Sequence, residues 1–292
     1  MNYTYYPGCS LEASADSYDK SLKSVFSSLG LGLQELEDWN CCGATAYMSV
    51  KETVSLTISA RNLALAEKNG LDIVAPCSAC YTVLAKTHKI IAENPELHDC
   101  VNSALGEVGL SYNLGCRVRH PLDVLVNDVG IARLAAQARV SLQGLKIAQY
   151  YGCQIVRPYA TFDDAENPVT MDNLFGALGA ESVYYPNKVR CCGGMLMFTF
   201  TDVALKLTDE LLRCAQENGA DLILTTCPMC QTNLDMHMQE IKESYGRSYT
   251  IPTLFFTELL GVALGHGIAE MGLDRHMVPI SDSTRKLLET KK

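Results

Sequence analysis

Residues 69–80 read NGLDIVAPCSAC, and residues 218–230 read NGADLILTTCPMC. In each stretch an Asn-Gly pair closes a helical segment, an aspartate opens a short β-rich apolar run, and a Cys-x-x-Cys follows at once. A helix stop, a buried strand and a cysteine pair in that order belong to an alternating α/β chain. Their return in the second half marks an internal duplication, the first thing to settle about any fold.

Working outward, the remaining cysteines repeat as well. The first half carries Cys9, Cys41-Cys42 and Cys77-x-x-Cys80, and the second carries Cys153, Cys191-Cys192 and Cys227-x-x-Cys230. The gap from the CC pair to the Cys-x-x-Cys is 34 residues in both halves, and the gap before the CC pair is 31 residues in one and 37 in the other. Flanking residues follow suit: Tyr6-Pro-Gly8-Cys9 pairs with Tyr151-Gly152-Cys153, and Cys42-Gly43 with Cys192-Gly193. The repeat predicts two domains, 1–143 and 144–292, joined at Gln143-Gly144.

Strands are expected at residues 2–6, 72–75, 145–151, 182–185 and 222–225, where Tyr, Val and Ile crowd short apolar runs. Apolar residues recur every four positions at Val50, Val54 and Ile58, and again at Val203, Leu207 and Leu211 with Cys214 following. These predict helices that bury those stripes. The fold class is therefore α/β: two pseudo-symmetric Rossmann-like halves, each a mostly parallel sheet flanked by helices, with cysteines at the carboxyl ends of strands. Helix N-termini just after Cys42, Cys80, Cys192 and Cys230 would turn N–H groups toward the thiols. Flanking glycines (Gly8, Gly43, Gly152, Gly193, Gly194) would let the backbone approach.

Composition narrows the function. Thirteen cysteines in 292 residues are too dilute for a disulfide-stapled mini-domain. They are too many for a reducing compartment unless metal or redox chemistry holds them. No secretory signal is visible at MNYTYYPGCS. The most apolar stretch, residues 254–269, is short, contains Glu258 and His266, and reads as a core strand and helix. A soluble, cytoplasmic protein is expected. The net charge of −9 shows no nucleic-acid footprint. With neither G-x-G-x-x-G nor G-x-x-x-x-G-K-[ST], no flavin or nucleotide is expected on this chain.

Three chemistries compete for the repeated cysteines. Structural zinc wants four tetrahedral ligands, normally two Cys-x-x-Cys-like pairs, and each half offers only one. A thioredoxin-like dithiol leaves Cys9 and the Cys41-Cys42 pair unexplained. Iron–sulfur clusters suit soft thiolates, yet a cubane takes four, so five per half leaves one over.

The pattern Cys-x31-CysCys(Gly)-x34-Cys-x-x-Cys, present twice, resembles the paired CCG domains of the B subunits of heterodisulfide reductases of methanogenic archaea. The resemblance runs from Cys9 to Cys230 and implies two noncubane [4Fe-4S] clusters, each held by five cysteines. Cys9, Cys41, Cys42, Cys77 and Cys80 would hold the first. Cys153, Cys191, Cys192, Cys227 and Cys230 would hold the second. It further implies a catalytic subunit that splits the CoM-S-S-CoB heterodisulfide between the halves, in methanogenesis, with the clusters as the catalytic groups.

Similar CCG proteins serve lactate, glycolate or fumarate metabolism, so an electron-transfer subunit of a quinone-, lactate- or fumarate-linked oxidoreductase is the alternative. No CxxCxxCxxxCP ferredoxin segment occurs here. The resemblance therefore implies two partner subunits, one flavin-containing and electron-bifurcating, the other carrying cubane [4Fe-4S] clusters. It links them to a hydrogenase or formate dehydrogenase.

An anionic disulfide needs local cations despite the acidic total. Arg157, Lys188 and Arg190 flank the second motif, and Arg117 and Arg119 precede His120. His120 opens a helix and could deliver protons. His88 and His237 read as structural, and Cys100, Cys116 and Cys214 carry no assigned role.

Overall fold

The structure is a computed structural model that describes residues 1–44, 49–159 and 161–290. Two four-stranded, wholly parallel sheets form its framework. The first has the order β2-β1-β3-β4, with β1 Asn2–Tyr5, β2 Gly32–Glu35, β3 Ile73–Val74 and β4 Val118–Arg119. The second repeats it as β6-β5-β7-β8, with β5 Lys146–Tyr150, β6 Glu181–Ser182, β7 Leu222–Thr225 and β8 Thr253–Phe255. Central strands are covered on both faces, as parallel sheets require, and β7 is buried throughout.

Helices return the chain between strands. Asp16–Ser28 leads to β2, Glu52–Lys68 to β3, and Thr201–Glu217 to β7. The latter two stop as the sequence predicts, at Asn69-Gly70 and Asn218-Gly219, with both glycines at positive φ.

The first predicted stripe is not the buried face, and of the second Leu211 is buried and Cys214 packs against the core. Val50, Val54, Ile58 and Val203 are exposed. The core-facing residues are Leu56, Ala60 and Leu63 in one helix and Ala204, Leu205, Leu211 and Leu212 in the other. A four-residue spacing drifts around a helix of 3.6 residues per turn, and a neighbouring stripe with small residues packs more closely. Two strands escape the sequence reading. β2 is an edge strand with no buried face, and β4 is two residues long and contains an arginine.

The halves exchange helices. Asp16–Ser28 of the first half packs on Phe256–Ala263 of the second, where Ser21 Oγ and Thr257 Oγ1 lie 2.7 Å apart, out of water. Conversely, Ile131–Gln137 packs on Thr170–Ala177. Tyr18 stacks on Phe255 with ring centroids 4.3 Å apart. Among the described residues no helix is long and apolar enough to cross a membrane.

Phe256–Ala263 is capped by its own Glu258, whose Oε2 accepts the Phe255 N–H at 2.9 Å. That fully buried carboxylate needs a countercharge, which His276 supplies at 2.8 Å, with Asp235 on its other nitrogen at 3.7 Å. Burial alone would lower the His276 pKa, but Glu258 and Asp235 outweigh it and push it up to about 10. The stability this gives is fully present below the unfolded value of 6.5 and is lost as pH rises through about 10. His276→Ala should cost about 3–5 kcal/mol near neutral pH, because it strands buried carboxylates. It should also flatten the alkaline decline in urea-unfolding midpoints. A variant that keeps the wild-type alkaline profile would contradict the assignment.

Candidate iron–sulfur centre

Every repeated cysteine lies beyond the carboxyl end of a strand. Cys9 follows β1, the Cys41-Cys42 pair β2, and Cys77 and Cys80 β3. Cys153, Cys191-Cys192, and Cys227 and Cys230 follow β5, β6 and β7 in the same way. Each half divides its thiols alike. Cys42, Cys77 and Cys80 are buried while Cys9 and Cys41 are exposed; Cys192, Cys227 and Cys230 are buried, Cys153 is half-buried and Cys191 exposed. Three inner and two outer sulfurs give each site a floor and a mouth.

The second site is one pocket. All five of its cysteines line a space of about 60 Å³, and Ser78 and Ala79 of the first half form part of its wall. The Cys192 and Cys230 sulfurs are 3.5 Å apart. Gly193 N–H points at Cys191 Sγ (3.3 Å), Gly194 N–H at Cys192 Sγ (3.4 Å), and the Asn233 amide at Cys192 Sγ (3.7 Å). In the first site Cys42 interacts with both Cys41 and Cys80.

These contacts set proton positions. Hydrogen bonds from Cys41 and Cys80 lower the Cys42 pKa to about 4 and push Cys41 up. Cys153 lowers Cys191 to about 6 in the same manner. Thiolate is the ligand and nucleophile form; the coupling holds Cys42 low in the first site and Cys191 and Cys227 low in the second, while their neighbours Cys77, Cys80, Cys153 and Cys230 are pushed up.

The helix termini are placed differently from the sequence expectation. Ser78–Glu93 and Pro228–Met236 begin at the Cys-x-x-Cys itself, with Cys77 and Cys227 as N-caps and Cys80 and Cys230 in the first turn. After Cys192 comes a 3-10 turn, Gly194–Phe198, not an α-helix. The segment after Cys42 falls partly on residues 45–48, outside the described ones. Two glycines are required by close approach. A Cβ on Gly8 would meet Cys80 Sγ at 3.1 Å, and one on Gly152 would meet Cys230 Sγ at 3.2 Å, both at positive φ.

One repeat correspondence shifts by a residue. Tyr6 Oη donates to the Asn40 carbonyl at 2.8 Å and Tyr150 Oη to the Arg190 carbonyl at 2.7 Å, each just before a CC pair. Tyr150, not Tyr151, is therefore the counterpart of Tyr6.

The two sites adjoin. Cys77 and Cys227 face each other across the seam closely enough that Cys227 pushes the Cys77 pKa up. The carbonyls preceding them are fixed by buried donors. Tyr18 Oη donates to Pro76 O (3.1 Å) and reaches Thr226 O (3.4 Å). Ser78 Oγ donates to Thr226 O (3.1 Å), and His120 Nε2 meets Pro76 O at 3.0 Å. Sequence reasoning missed Tyr18, which belongs to no motif, and Ser78, which fills a variable position of Cys77-x-x-Cys80.

His120 is fully buried, and its Nδ1 accepts the Leu122 N–H. Burial lowers its pKa to about 4, so it is neutral with both nitrogens engaged. It braces the seam in its neutral form. His88 and His237 meet Tyr112 and Glu240 respectively.

Four of the five predicted cations are paired within the chain: Arg117 with Asp72, Arg119 with Asp123 and Asp128, Arg157 with Glu166, and Lys188 with Asp172. Arg119 is buried and reads as structural. Arg190 is exposed and has no carboxylate partner among the described residues.

The donor set fits iron–sulfur chemistry. Five thiols converge per half, N–H groups are aimed at sulfur, and inner sulfurs are shielded from water. Among the described residues no three His, Cys, Asp or Glu side chains form the shell of a single metal ion.

The family model of the cysteine-rich CCG domain matches residues 3–85 and 147–235, one copy per half. The chain belongs to the CCG family, in the tandem form found in heterodisulfide reductases. The 8-methylmenaquinol:fumarate reductase membrane anchor subunit of Wolinella succinogenes is 31% identical, over 94% of this chain and 96% of its own. The B subunit of the ferredoxin/F420H2-dependent CoB-CoM heterodisulfide reductase of Methanosarcina acetivorans is 30% identical, over 97% and 96%. A protein of Archaeoglobus profundus, named as like the B subunit of heterodisulfide reductase, is 30% identical over the full length of both. The crystal structure of a hypothetical protein from Helicobacter pylori superposes with a TM-score of 0.80 at 18% identity. It covers 96% of this chain, which spans 52% of that one, and shows the shared fold.

Tyr18→Phe and Ser78→Ala each remove a buried hydrogen bond and should cost about 1–2 kcal/mol in urea unfolding. The double variant should cost less than the sum, because both act on Thr226 O. Strict additivity would mean that the two residues do not share one seam.

Proposed function

We propose that this chain is the iron–sulfur subunit of a multisubunit oxidoreductase, with one noncubane [4Fe-4S] cluster in each five-cysteine site, and that it reduces the CoM-S-S-CoB heterodisulfide. The observation that carries the reading is the pair of adjoining thiol sites, each with two outer cysteines at a mouth and three within. When bound, the clusters would supply electrons one at a time at a surface where sulfur can bind iron. The reaction R–S–S–R′ + 2e⁻ + 2H⁺ → RSH + R′SH needs two protons. With His120 sealed in the seam, these come from solvent at the mouths.

The chain's own groups would do the rest. Cys9, Cys41, Cys153 and Cys191 mark where a disulfide arrives, Arg190 offers an anion contact, and the Tyr6 and Tyr150 hydroxyls hold the CC turns. The relatives are named as subunits, which supports a multisubunit complex. In it, a flavin-containing partner and one with cubane [4Fe-4S] clusters bring electrons from a hydrogenase or formate dehydrogenase.

A second reading, electron transfer in a quinone- or fumarate-linked complex, is favoured by two observations. The predicted cations are mostly neutralised by the chain's own carboxylates. Large apolar residues stand exposed just after both CC pairs, Val50 and Val54 in one half, Phe198 (84% exposed) and Phe200 in the other. The relatives do not separate the readings, at 31% and 30% identity.

Anaerobic iron and sulfide analysis should give about eight irons per chain, four per site. Cys192→Ser should lose about half and abolish heterodisulfide reduction. Full reduction in that variant would rule out the second site as catalytic. A new EPR signal when coenzyme M is added to oxidised protein supports the disulfide reading. Its absence, with eight irons present, supports the electron-transfer reading.

A further inference from the structure

The two sites hold the same five thiols but not the same donors. Asn233 lies in Pro228–Met236, three residues after Cys230, and is buried. Its amide nitrogen is 3.0 Å from the Cys192 carbonyl, 3.1 Å from the Gly194 carbonyl and 3.7 Å from Cys192 Sγ. All three neighbours are acceptors, so the end of the amide that faces them is the NH2 group. Two hydrogens thus serve three acceptors, two of them on Cys192.

These bonds reach the sulfur by a second path. Cys192 and Gly194 bracket the turn in which the Gly194 N–H points at Cys192 Sγ, at 3.4 Å. By gripping both carbonyls, Asn233 holds that backbone N–H on the sulfur as well as presenting its own. Cys192 is one of the buried thiols, where the low dielectric strengthens a hydrogen bond to a charged acceptor.

The corresponding place in the first half is different. Three residues after Cys80 stands Val83, which has no donor in its side chain. The buried asparagine of that half, Asn62, is on Glu52–Lys68 and bonds the N–H and carbonyl of Asn40, ahead of the CC pair.

We propose that Asn233 is a positioning residue that raises the reduction potential of the second cluster and so makes the two halves electronically unequal. The proposal rests on the cluster reading above. Each electron that a cluster accepts adds one negative charge, part of it on the ligand sulfurs. Donors fixed on such a sulfur stabilise the reduced form more than the oxidised one. No bond is made or broken in this step; one electron arrives from an external reductant, dithionite in the test.

An anaerobic redox titration of the iron-loaded chain, followed by EPR and absorbance, should resolve two one-electron midpoints. The midpoint missing in Cys192→Ser belongs to the second site. Asn233→Leu, close in volume, and Asn233→Ala should each lower that midpoint and leave the other in place. At the wild-type midpoint the ratio of reduced to oxidised cluster should fall about tenfold, which is about 59 mV for one electron. Thr208→Val is the control: it removes a bond of 3.2 Å to the same Cys192 carbonyl but no donor from sulfur, and should move neither midpoint. Iron-replete Asn233 variants with wild-type midpoints overturn the proposal, and so does an equal shift in Thr208→Val. Loss of the second site's iron in both Asn233 variants would make the residue a structural support and overturn it too. A wild-type chain that takes up no iron would instead overturn the cluster reading, so iron content tells the two failures apart.

Discussion

Two backbone carbonyls, Pro76 O and Thr226 O, hold the arrangement together. Each lies at the end of a central strand, immediately before the first cysteine of a Cys-x-x-Cys, and each is buried at the seam between the halves. A buried carbonyl left unpaired costs about 1–3 kcal/mol. Tyr18, Ser78 and His120 remove that penalty from both halves at once. Since Tyr18 and Ser78 of the first half serve the second half's carbonyl, neither Cys-x-x-Cys turn can move without the other. The back-to-back placement of Cys77 and Cys227 is a consequence of satisfying these two acceptors.

The exchange of helices between halves follows the same logic. Tyr18 reaches the seam only because Asp16–Ser28 lies on Phe256–Ala263, and its ring stacks on Phe255. Duplication has not kept the halves identical here. Where the first half caps its helix with His120, the second has Phe255 at the corresponding place and uses Glu258 on the Phe255 N–H. A carboxylate stands at the same place in both halves: Asp123 pairs with Arg119 in the first, whereas Glu258, fully buried in the second, is met by His276 with Asp235 behind it.

How much of this was legible follows the range of the interactions. The cysteine spacing, the parallel α/β class, the Asn-Gly helix stops and the strand-end placement of the thiols depend on local chemistry and were readable. Strands β2 and β4 were not, because Gly32–Glu35 has no buried residue and Val118–Arg119 sets one valine beside a charge. The Val50, Val54 and Ile58 stripe misled because periodicity marks a face without saying which neighbour covers it. The pairing of the cations was hidden for a related reason. Arg117 is neutralised by Asp72, 45 residues away, and Lys188 by Asp172, 16 residues away. Tyr18 and Ser78 meet Thr226 across 208 and 148 residues, and even with Ser78 inside Cys77-x-x-Cys80 nothing local marks that partner.

The acidic total of −9 takes on a different meaning once the ion pairs are located. Cations near the sites are largely committed to the chain's own carboxylates, so little free positive potential remains to collect a polyanion from solution. Beside the CC pairs, Arg190 apart, large apolar side chains stand exposed. Surfaces of that kind recognise by burial of area, worth roughly 25 cal/mol per Å², whereas exposed charge pairs contribute about 0–1 kcal/mol each. A partner that covers Phe198, Phe200, Val50 and Val54 would therefore gain more from them than any anion gains from Arg190 alone. It would also restrict access to the outer cysteines, leaving each mouth open only to what the assembled complex admits. Specificity for a particular disulfide, or for none, then belongs to the complex as much as to this chain, which is why two relatives with different named reactions can stand equally close to it.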